Sequence, residues 1–143
     1  MIKISPFQAY HYNSRVVSNI ESVVAPPYDI ISLKERDELY SRHPYNIIRV
    51  ILGKEHLGDS ESDNKYTRAR DFLNLWISKE IVIQDKAPAV YVLSQKFFAG
   101  AQGYRERTGF ICLLDVNASD VVPHEKTRPE PKVDRLNLLK QCR

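Results

Sequence analysis

The chain has 143 residues, 43% of them hydrophobic and 27% charged, and carries a net charge of +3. That is enough for one domain with a real core, and too apolar for a disordered chain. No apolar run is long enough to cross a bilayer as a helix, "MIKISPFQAYHYNS" lacks the apolar stretch of a secretory leader, and Cys112 and Cys142 make neither a disulfide framework nor a zinc site.

In chain order, "VVAPPYDII" is first. Its two prolines fix φ and lack a donor, so the segment reads as an extended crossing. Ser32 with Glu35 three residues later forms a capping box, which predicts a helix to about Ser41, and Pro44 ends it. "YNIIRVIL" (45–52) is rich in β-branched residues and predicts a strand, with Asn46 and Ile48 on one face and Ile47 and Arg49 on the other. "GKEHLGDSESD" is a polar loop. In "NKYTRARDFLNLWISKE", the spacing of Tyr66, Ala69, Leu73, Trp76 and Ile77 traces one helical face and predicts a helix over 66–80 packed on a sheet.

"PAVYVLSQKFF" (88–98) and "TGFICLLDV" (108–116) predict two strands joined through "AGAQGYRER" as a hairpin, with Cys112 buried in the second. Pro123, Pro129 and Pro131 predict irregular chain. An amphipathic helix is expected from Val133, with Leu136, Leu139 and Lys140 on one side, and the apolar part of that face makes self-association an expected partner mode. The fold class is α+β (mixed α/β): a small, mainly antiparallel sheet with a β-hairpin and two to three packing helices. Residues 1–123 read as the globular domain. Residues 124–143 read as a basic loop plus an incomplete helix, the start of a further region.

Charge placement says more than its total. Residues 124–143 hold six Lys/Arg against three acids, so the rest of the chain balances at zero. Within "HEKTRPEPKVDR", His124 is a general-base candidate with Glu125 or Asp134 to orient it. Lys126, Thr127, Arg128, Lys132 and Arg135 could hold phosphate oxygens, the arginines by their bidentate fork. The competing reading is a solvated charged loop whose ions pair with one another, which contributes little.

Three other places compete for a ligand. Pro26 and Pro27 could present Tyr28 and Asp29, or could simply be a rigid link with Tyr28 in the core. Asn46 and Arg49 could bind a ligand, Arg49 by reaching an anion, or Arg49 could pair with an acid or lie at a sheet edge. His11, His43 and His56 stand alone and read as surface or capping residues. No metal site is expected.

"SPFQAYHYN", "VVAPPYDIIS", "HPYNIIRV", the Tyr66 to Trp76 helix, "RTGFICLLDV" and "PHEKTRPEPKVDRLNLL" together resemble, in order and spacing, the N-terminal part of the bacterial and archaeal family called domain of unknown function 1015. The resemblance covers nearly the whole chain. Long members of that family carry a later Asp-Gly-His-His-Arg type segment similar to the phosphate-binding signature of the ParB and sulfiredoxin-like superfamily, which includes a free-serine kinase. For those members the resemblance implies ATP or ADP with magnesium as cofactor. This chain has no such segment, which makes it look like a truncated product or fragment, inactive alone.

The expected function is therefore part of a phosphate- or nucleotide-handling enzyme, with a phosphorylated small molecule or nucleotide as partner, in a cytoplasmic setting and without a membrane. The alternative is a nucleic-acid-binding or protein-interaction module without catalysis. Nucleic acid is the weaker partner, because a cluster of three net positive charges is small.

Overall fold

A computed structural model describes residues 3–115 and 129–143. The class is α+β as expected, but the strands form three separate two-stranded ladders instead of one sheet. β1 (Ile4–Ser5) pairs antiparallel with β6 (Leu113–Leu114), and β2 (Tyr10–Tyr12) pairs with β3 (Val82–Gln84). β4 (Tyr91–Phe98) and β5 (Tyr104–Ile111) form the hairpin, in register from Tyr91↔Ile111 to Phe98↔Tyr104. Its turn is shorter than the sequence suggested. Gly100 and Gly103 take positive φ of 58° and 69°, so the reversal is complete by Gly103, and "YRER" belongs to β5. Cys112 falls between β5 and β6 and is half-buried, a correction to the buried strand position expected for it.

The chain divides into two compact units, residues 1–10 with 84–125 and residues 11–83 with 126–143. In the first, no described residue is buried. The hairpin shows Val92 77%, Tyr104 71% and Phe98 67% exposed. Tyr91 is its best-covered residue. The Tyr91 hydroxyl donates to Asp85 and accepts from the Ala9 N–H at 2.8 Å, and its ring lies 5.0 Å from that of Phe7.

Among the described residues, the whole core lies in the second unit. α1 (Leu33–Arg42) begins at the expected capping box: Ser32 Oγ accepts from the Glu35 N–H, and the Glu35 carboxylate accepts from the Ser32 N–H at 2.8 Å. α3 (Lys65–Ser78) has a second box, in which Asn64 accepts from the Tyr66 and Thr67 N–H groups and Thr67 Oγ1 accepts from the Asn64 N–H. Trp76 is 1% exposed, with the rings of Tyr12, Tyr45 and Phe72 within 6.3 Å. The partners of α3 are α2 and α4 more than a sheet; Val82 and Tyr12 are the strand residues it shares its core with.

Two predicted elements are corrected. The segment 45–52 contains a helical turn, α2 (Ile48–Ile51), and no strand. Asn46 Oδ1 accepts the Ile48 N–H at 3.0 Å, which starts the turn, and Ile48 and Val50 are buried. Burial on several sides overrides the β-branched preference. α4 (Pro129–Gln141) starts four residues earlier than read, with Pro129 and Pro131 inside its first turn. Prolines fit there because the N–H groups of a first turn have no helical acceptor. Leu138 of α4 and Cys142 just past its end pack on the core, while Val133, Leu136 and Leu139 are exposed. Among the described residues no helix is long and apolar enough to cross a membrane.

Candidate functional site

α4 is fastened to α3 by one carboxylate. Asp134 Oδ1 accepts from Tyr66 Oη at 2.9 Å and from Lys65 Nζ at 3.1 Å, and its Oδ2 receives Nε and Nη2 of Arg135. Lys65 also pairs with Glu55 at 2.9 Å. The Arg135 guanidinium lies over the Tyr28 ring, its central carbon 4.0 Å from the ring centroid. Spacing by helical turns explains the rest of the contact: Asp134, Leu138 and Gln141 share a face, and Gln141 accepts from Arg70 at 3.2 Å.

Burial pushes the Asp134 carboxyl up, but hydrogen bonds from Arg135, Tyr66 and Lys65 outweigh it and hold the group below the usual carboxylate range. For Lys65, burial pulls the ammonium down and the bonds to Glu55 and Asp134 more than reverse it. A carboxylate so held suits orienting Arg135 better than taking up a proton. Because the folded value lies below the unfolded one of about 3.9, the network stabilises fully above that pH and its contribution is lost as pH falls through the folded value. The protection of the Leu138 and Gln141 amides against hydrogen exchange, taken relative to the intrinsic rate at each pH, should therefore fall on acidification below about pH 4. Asp134→Asn should remove that acid limb; an unchanged acid profile in the variant would place the sensitivity elsewhere.

Beside this network, sharing Lys65 with it, is a pocket of about 260 Å³ lined by Tyr40, Arg49, Gly53, His56, Lys65 and Phe72 among others. Gly53 packs closely there: a Cβ would come within 3.1 Å of the Lys65 carbonyl oxygen and 3.3 Å of its Cβ. Arg49 Nη2 donates to the Tyr40 carbonyl at 2.7 Å, and the guanidinium carbon lies 4.5 Å from the Tyr40 ring centroid and 5.7 Å from that of Phe72. Arg49 Nε is buried without a hydrogen-bond partner.

A family model described as "Protein of unknown function (DUF1015)" matches residues 4–143. The chain belongs to the DUF1015 family. No curated protein and no solved structure matches it.

In this DUF1015 chain the residues singled out from sequence have different fates. His124, Glu125, Lys126, Thr127 and Arg128 lie outside the described residues. Asp134 and Arg135 are brought together with Tyr28, while Lys132 is exposed on the first turns of α4 and Asp29 is exposed beside Tyr28. Asn46 is fully buried and bound to backbone on every side, through Nδ2 to the Ser22 and Val24 carbonyls as well as Oδ1 to Ile48. Arg49 stands in the neighbouring pocket on a helix, a correction to the sheet edge considered for it. His43 caps, its Nδ1 accepting from the Tyr45 N–H at 3.1 Å. Sequence reasoning missed Lys65, Tyr66 and the loop residues Gly53, Lys54 and His56. The loop residues gave only a density of charge in a segment read as a plain polar loop, and Lys65 and Tyr66 lay at the start of a segment read for its apolar face alone.

Proposed function

We propose that this DUF1015 chain binds the anionic group of a small phosphorylated molecule or nucleotide, with the start of α4 and the PPYD segment forming one wall of the site. The observation that carries the reading is the stacking of Arg135 on Tyr28, which joins two segments distant in the chain. Asp134 and the ring hold the guanidinium by one edge and one face. Only Nε and one Nη2 hydrogen are committed to Asp134, so of the five N–H donors the remainder have no hydrogen-bond acceptor among the described residues and could meet phosphate oxygens. Lys132, exposed and without an ion-pair partner among the described residues, lies three residues away on the same helix.

The 124–128 segment, which holds the base candidate and further cations in sequence, lies outside the described residues. On this reading the chain contributes binding and orientation to a ParB/sulfiredoxin-like, kinase-like chemistry and does not turn a nucleotide over alone. Titration of the ¹⁵N-labelled chain with ADP and magnesium tests it. The Lys132 and Arg135 amides should shift, with an effect that weakens as salt rises. Tyr28→Ala and Arg135→Ala should each remove the response and leave the fold intact by circular dichroism. No shift in 132–135, or tighter binding of duplex DNA than of ADP at physiological salt, would overturn the proposal in favour of a solvated face or a nucleic-acid module.

A further inference from the structure

The Arg49 pocket is a second place where an anion fits, and its charge pattern says how many charges it wants. Its other cations are each matched. Lys54 meets Asp37 at 2.7 Å, Lys65 meets Glu55 at 2.9 Å, and Arg68 meets Asp63 at 2.7 Å and Asp59 at 2.8 Å. Arg49 alone among the lining cations has no carboxylate among the described residues. Its one hydrogen bond, from Nη2 to the Tyr40 carbonyl, neutralises nothing. The other buried unpartnered nitrogen of the described residues, Arg36 Nε, at least has Asp37 at 3.8 Å.

A charged donor shut away from water and left without an acceptor is unfavourable, and native structures keep such groups mostly where something else completes them. The two flanking rings favour the cation but offer no lone pair to Nε. The pocket, about 260 Å³ and open on one side, has room for a single oxyanion head group with a short carbon skeleton.

We infer that Arg49, between Tyr40 and Phe72, is the receptor for one oxyanion, a carboxylate or a phosphate monoester, of a small metabolite. The fork of the guanidinium suits both groups, since each offers two oxygens in one plane. This inference stands apart from the Arg135 site, because Arg49 and Arg135 contact different rings.

The test uses the full chain with ¹⁵N-arginine labelling and two probes, sodium acetate and inorganic phosphate, against sodium chloride at matched ionic strength. The Arg49 Nε–H signal should move downfield with saturation under at least one probe and stay still under chloride. A response to acetate alone marks a carboxylate receptor and a response to phosphate alone a phosphate receptor. Arg49→Lys, which keeps the charge and loses the fork, should weaken binding at least tenfold, and Arg135→Ala should leave it unchanged. Should Arg49→Lys fail to fold, as judged by Trp76 fluorescence, Tyr40→Leu serves instead, with the same loss of response expected. An Arg49 Nε–H that ignores both probes, or a lysine variant that binds equally well, would overturn the inference.

Discussion

Replacing Trp76 by alanine should cost this chain about 3–5 kcal/mol, a large part of the 5–15 kcal/mol typical of a folded domain. The ring is 1% exposed and sits among Tyr12, Tyr45 and Phe72, so its removal leaves a cavity that three rigid aromatic neighbours cannot refill by small shifts. Val17, Val23 and Ala69 belong to the same cluster and are too short to reach across. Urea unfolding followed by far-UV circular dichroism measures the loss, because the substitution removes the chain's single tryptophan and with it the fluorescence probe. A change under about 1 kcal/mol would contradict the placement of this face of α3 at the centre of the core.

Asn46→Ala should cost about 2–3 kcal/mol without removing much apolar surface. Three backbone groups lose their partner at once: the Ser22 and Val24 carbonyls, bonded to Nδ2 at 2.9 and 3.1 Å, and the Ile48 N–H, bonded to Oδ1 at 3.0 Å. Some of the cost is recovered because Val24 is exposed and its carbonyl can meet water. Asn46→Asp separates a hydrogen-bonding role from a packing one. It is nearly isosteric, but its carboxylate would face the two carbonyl oxygens that Nδ2 now binds, so it should be at least as damaging as alanine. An aspartate variant as stable as the parent would show that the amide donor is dispensable, and the link between the 20–24 turn and α2 would need another explanation.

What could be read from the sequence was what local chemistry dictates. Ser32 and Glu35 are three residues apart, and nothing distant alters that geometry, so α1 was legible at its start. The face of α3 was legible because Trp76 and Ala69 repeat at helical spacing. Residues 45–52 were not, because a helix buried on several sides loses its polar stripe, and Ile and Val then carry a strand signal that tertiary packing overrides. The prolines at 129 and 131 carried two meanings, helix breaker or first-turn residue, and only the position of Asp134 against Lys65 and Tyr66 decides between them. Tyr28 and Arg135 were each singled out on their own, but their meeting is a fact of topology. The Arg49 pocket was hidden further still, because its charge is uncompensated only after every nearby acid has been assigned to another cation.

The absence of any buried residue among those described in the first unit has a consequence for what "stability" means for this polypeptide. Opening a two-stranded ladder whose side chains already face water exposes little new apolar area, so almost none of the heat capacity or denaturant slope of unfolding comes from β4 and β5. Tryptophan emission reports on Trp76 in the second unit and is blind to that opening. A midpoint read from it describes residues 11–83 with α4, and the hairpin can be fully formed or fully frayed at the same midpoint.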